Sequence, residues 1–156
     1  MDLNIKTRVV SGLEKVFYDR EPEALKTPLS LLKDDIAIFQ LAVRPEGMFG
    51  SCEIRVDSPI ADLITVRQVE QVPVRCVTPV TTDGDYISDQ PGLYPDLLRP
   101  SLMGGSYIIL RNQWNAFWIE VETTPETPAG TYPVTLSVVL ALPSVRRPLP
   151  TPSRFR

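Results

Sequence analysis

The sequence predicts an all-β fold: a two-layer antiparallel β-sandwich of about eight strands with one long Pro/Gly/Asp-rich loop. Three observations predict it. Apolar residues recur at every second position in several separate runs. The 16 prolines among 156 residues interrupt those runs, at about twice the average share. Helix-start signals are scarce.

Residues 5–10 read as the first strand. Ser11-Gly12-Leu13-Glu14 matches the Ser-x-x-Glu capping box, but its β-branched flank restricts it to one short turn. A short strand is expected at 29–33. In DDIAIFQLAVRP both parities are apolar: Ala37, Phe39, Leu41 and Val43 lie opposite Ile36 and Ile38. Such a strand is covered on both faces or nearly so. CEIRVD places Cys52, Ile54 and Val56 on one face and Glu53, Arg55 and Asp57 on the other. Further strands are expected at 60–70, at 72–77 with Val72, Val74 and Cys76 aligned, at 107–111 and at 116–122. Arg111-Asn112-Gln113 suits a tight hairpin, because Asn tolerates positive φ. From Thr131 the even positions Tyr132, Val134, Leu136, Val138, Leu140 and Leu142 are apolar. Pro133 falls near the start of that run, which marks an edge strand or a strand entry. The sandwich is therefore assigned to 1–142, and the Pro/Arg-rich segment 143–156 to a disordered tail.

Between two of these runs lies GDYISDQPGLYPDLLRP, 84–100. A plain hairpin needs only about two to five residues. Pro91, Pro95 and Pro100 stiffen this stretch, so it loses little entropy on meeting a neighbour. Tyr94, Pro95, Asp96 and Leu97, together with Trp118, are the candidate docking residues. Asp83, Asp85 and Asp89 are weak candidate metal ligands. TTDGDYISD lacks the EF-hand form, and Asp favours turns for its own backbone bonds, so no metal and no cofactor are expected.

The aromatic residues Tyr86, Tyr94, Trp114 and Trp118 are candidates for stacking against sugar rings. In the strand through Trp118, Phe117, Ile119 and Val121 share one face, and Trp114, Ala116, Trp118 and Glu120 the other. One face forms the core; the second is half-exposed or covered by a partner. Cys52 and Cys76 lie on the apolar parity of their strands. Two buried free thiols are expected, with a cross-strand disulfide as the alternative.

Composition excludes several classes of function. There is no histidine, which removes the commonest general base and the commonest transition-metal ligand. The net charge is −3, yet 144–156 holds four Arg and no acid, so the body is more acidic than the total implies. Nucleic acid is not an expected partner. No apolar run reaches the length of a membrane span or a signal peptide, so the chain as written is expected to be cytoplasmic, and extracytoplasmic if an export signal has been trimmed. No catalytic residue is assigned.

Several segments together resemble a group of bacterial proteins related to glycoside hydrolase family 123, which share a carboxy-terminal domain of unknown function. They are SGLEKVFYDREP (11–22), IAIFQLAVRP (36–45) with its central Gln40, YPDLLRP (94–100) and WIEVETTPETPAGTY (118–132). The resemblance implies an amino-terminal β-sandwich placed ahead of a (β/α)-barrel that carries the acid pair. No position here matches that pair, and the barrel is absent from this chain. The implied function is a non-catalytic accessory domain that docks against the barrel as its partner. Two alternatives stay open: a stand-alone carbohydrate-binding module, and a structural or adhesive sandwich that binds proteins by an edge strand.

Overall fold

Eight strands follow one another along the chain: β1 (Ile5–Ser11), β2 (Ile36–Pro45), β3 (Gly50–Asp57), β4 (Ile64–Val74), β5 (Gly92–Arg99), β6 (Ser106–Ile109), β7 (Asn115–Glu122) and β8 (Thr135–Ala141). The computed structural model describes residues 4–47, 50–75, 88 and 90–141. Among them the only helical element is a three-residue 3₁₀ turn, Ala61–Leu63. The strands form a five-stranded sheet, β1-β2-β7-β4-β5, and a three-stranded sheet, β6-β3-β8. Every pairing is antiparallel.

The two sheets share one apolar interior. Phe39, Leu41 and Val43 of β2 and Phe117, Ile119 and Val121 of β7 meet Cys52 of β3 and Tyr107 and Ile109 of β6. Leu136, Val138 and Leu140 of β8 pack against this cluster, while their odd-numbered neighbours are exposed, as the alternation predicts. Tyr107 ties the layers together. Its ring meets Phe117 edge-on at 5.2 Å, and its hydroxyl donates to the Val66 carbonyl at 2.9 Å. The Gln68 amide crosses the same gap to the Ile108 carbonyl at 2.5 Å.

From Phe39 to Val43 both parities of β2 are buried, because the outer face of the large sheet is covered there by the chain itself, whereas Ile36 at the start of the strand is 50% exposed. The connection from β1 to β2 crosses that face as a strap. Gln40, 2% exposed, donates through Nε2 to the carbonyls of Ser11 at 3.1 Å and Glu14 at 2.7 Å. Farther across, Gln71 Nε2 donates to the Val16 carbonyl, Trp114 N to the Tyr18 carbonyl, and Lys15 Nζ to the Pro95 carbonyl. Beneath the strap, Val16 joins Val10, Ala42, Val69, Trp114 and Ala116 in a second apolar cluster. The chain then returns to the β1 edge, where Leu25 N donates to the Val9 carbonyl at 2.7 Å.

Four expectations are corrected. Residues 29–33 form no strand; they have no ladder partner, and the Leu32 carbonyl accepts from Thr123 Oγ1 instead. The strands expected at 60–70 and 72–77 are one strand, β4, preceded by the 3₁₀ turn. The β4–β5 register skips Asp96 opposite Glu70 and Gln71, so the bulge lies in β5, and Ile64, Val66, Val72 and Val74 keep one parity through β4. The second half of the expected long loop is strand β5. It carries Pro95 because an edge strand needs no donor on its open side. Asn112 does adopt positive φ, +58°, but the turn it makes joins β6 in one sheet to β7 in the other and is not a hairpin.

The strap makes a direct prediction. A Cβ on Gly12 would stand 2.7 Å from Ile38 Cγ2 and 2.8 Å from the Ile38 carbonyl oxygen. Gly12→Ala is expected to cost about 1–3 kcal/mol by this overpacking. Gln40→Leu, which strips the donor from two carbonyls, should cost a similar amount, about 1–3 kcal/mol. Urea unfolding of each variant measures both; midpoints equal to the parent's would show that the strap is not held in this way.

Candidate functional site

The docking residues expected from sequence fall on or beside the β5 edge. Leu97 is 57% exposed and Asp96 is also exposed. Pro95 is buried. Tyr94 is half-buried and already engaged: its ring meets Phe17 of the strap edge-on at 5.8 Å, and its hydroxyl donates to the Gln90 carbonyl. Past β5, the turn over Gly104 and Gly105, both at positive φ, presents Leu102 and a fully exposed Met103. Leu93, Leu97, Leu102 and Met103 thus leave apolar side chains exposed over one short stretch of chain.

Trp118 is separated from that edge by β4. It lies half-buried on the outer face of the large sheet, opposite Gln40 on one side and Arg67 on the other. Its Nε1 donates to Glu120 Oε2 at 3.4 Å, and that carboxylate also holds Arg67 at 3.1 Å. Trp114 is 1% exposed and packed within the second cluster, so the chain itself occupies its surroundings. Tyr86, Asp83, Asp85, Asp89, Cys76 and the tail 143–156 lie outside the described residues.

Two concavities accompany these surfaces. The first, about 830 Å³, opens where the large sheet overhangs the small one, and is lined by Val9, Leu29, Phe39, Leu41, Tyr132 and Leu136. The second, about 520 Å³, is bordered by Tyr18, Gln71, Arg99, Gln113 and Trp114. Here Arg99 Nε pairs with Glu70 Oε1 at 2.5 Å, and its Nη2 donates to Gln68 Oε1 at 2.6 Å. Asn115, 7% exposed, fixes the turn joining β6 to β7 beside this cavity by donating to the carbonyls of Val43, Leu110 and Gln113 and accepting from Leu110 N. Sequence reading passed over Asn115, Gln68 and Gln71. Their one available signal was a polar residue within an otherwise apolar strand.

No protein-family model matches the sequence, and no curated protein does. Among solved structures the chain is similar to a family 123 glycoside hydrolase from Clostridium perfringens, studied for glycolipid glycan hydrolysis. The TM-score is 0.69 at 13% identity, over 90% of this chain and 26% of that one. The likeness is one of fold. This chain spans about a quarter of the length of that enzyme.

Cys52 supplies a test of the interior. Its thiol is free and buried, and burial pushes its pKa up to about 12. The unfolded chain ionises a thiol near about 8.5. The neutral thiol's contribution is therefore complete below that value and is lost as pH rises through the window up to about 12. Tyr107 is shifted in the same direction, chiefly by burial. With Cys76 replaced by Ser, Cys52 should resist a thiol reagent at neutral pH until denaturant is added, and Cys52→Val should flatten part of the alkaline loss of stability. Prompt native-state labelling would contradict this burial.

Proposed function

We propose that this chain is a non-catalytic accessory β-sandwich of a glycoside hydrolase, which docks against a catalytic domain and shapes one end of its substrate cleft. The observation that carries the reading is the extent of the structural match. Nine-tenths of this chain superposes on about a quarter of a glycoside hydrolase, so the shared unit is a minor part of that enzyme. In the resembling family, the sandwich stands ahead of a (β/α)-barrel that bears the acid pair.

The exposed apolar stretch on and after β5 supports a docking role. Leu97 and Met103 are 57% and 99% exposed, and large apolar side chains exposed in series mark contact surfaces more often than free ones. The strap stiffens the neighbouring β5 backbone through Lys15 and Tyr94, so little order remains to be gained on contact. Asp96 supplies charge beside this apolar strip, as an interface rim does.

The test is to co-express this chain with the polypeptide encoded next to it. Leu97→Glu combined with Met103→Glu should release that partner and lower its Tm, while leaving the Tm of this chain alone unchanged. Partner retention by the double variant would place docking elsewhere. Release of nitrophenol from an aryl glycoside by the purified chain alone would refute the non-catalytic reading.

A further inference from the structure

The cavity of about 520 Å³ contains an unusual pair of groups. Trp114 is 1% exposed, and its Nε1–H has no hydrogen-bond partner among the described residues. Gln71 Oε1, buried as an atom, has none either. The register of β4 on β7 ends at Val69↔Ala116; two residues further along each strand it brings Gln71 toward Trp114. Orphaned buried polar atoms are rare, because each costs about 1–3 kcal/mol. The two residues that carry this unsatisfied donor and acceptor line the same cavity. A hydroxyl serves both, since it accepts and donates through one oxygen.

We infer that this cavity binds an uncharged, hydroxyl-rich ligand: a neutral saccharide. The remaining lining agrees. Arg99 is neutralised by Glu70, so the site has no excess charge to recruit a phosphate or a carboxylate. The half-buried Tyr18 and Gln113 add further polar groups. Leu93 and Ile108, each about two-fifths exposed, supply apolar wall for the C–H faces of a sugar ring. The volume lies within the range of small-molecule sites, about 300–1,000 Å³. Neither orphaned atom is open to solvent, so a guest reaches them by displacing part of the cavity wall. The cavity and the docking stretch have separate tests, so either proposal can fail without the other.

Trp118→Phe leaves Trp114 as the only tryptophan and reporter. Its fluorescence is titrated with methyl glucoside and with N-acetylglucosamine, with glucuronate as the charged control. A saturable change with at least one uncharged sugar is expected, and a weaker response to glucuronate. By calorimetry, Trp114→Phe and Gln71→Met should each bind roughly tenfold more weakly, the share of one hydrogen bond. A thermal scan of each variant checks its fold, and Gln71→Met carries the test if Trp114→Phe does not fold. No saturable response to either uncharged sugar would overturn the proposal. So would unchanged affinity in a folded variant, or glucuronate binding as tightly as the neutral sugars.

Discussion

Gln40 fastens an irregular segment to a sheet, and the architecture depends on that fastening. A five-stranded sheet has two faces, and the three-stranded sheet covers only one of them. The other face carries Val10, Ala42, Val69 and Ala116, which water would otherwise reach. A strap can cover them only if its own carbonyls find donors, because irregular backbone has no ladder to supply them. Gln40 gives both its amide hydrogens to Ser11 and Glu14 at the start of the crossing, and Gln71 gives one to Val16 farther along. Two glutamines within strands thus replace the hydrogen bonds that a further layer of regular structure would have made.

The legible part of the fold was the part governed by period two. Leu136, Val138 and Leu140 alternate in sequence and in burial because β8 has one face on the core and one in water. The double apolar parity of β2 signalled cover on both faces, which holds from Phe39 to Val43 but not at Ile36, and the division of Phe117 and Ile119 from Trp114 and Ala116 matches the two clusters. What covered the outer face was not legible. The strap has no periodicity, and its partners lie far off in sequence: Gln40 is 26 residues from Glu14, and Gln71 is 55 from Val16. The β5 strand was hidden by Pro95, which argues against a central strand and is silent about an edge. The polar residues Gln68, Glu70 and Gln71 interrupt the apolar pattern of β4, so one strand resembled two. For the site, aromatic type alone singled out Trp114 and Trp118 but could not tell which was packed. Burial separates them: one is enclosed in the core and the other lies half-open beside an ion pair.

The strap also links the two places to which a function has been attached. Its Tyr18 carbonyl holds Trp114 N and its Tyr18 side chain borders the polar cavity, while Lys15 and Phe17, on either side of Val16, touch Pro95 and Tyr94 of β5. One short segment therefore positions both the cavity wall and the backbone of the docking strand. A segment tethered by side-chain hydrogen bonds at separate points moves as a unit more readily than it bends between them, because each tether is lost only when a buried carbonyl goes unpaired. The same tether explains why Tyr94 is less a free anchor than its sequence suggested. Its ring is held by the strap, and what β5 offers outward is Leu97.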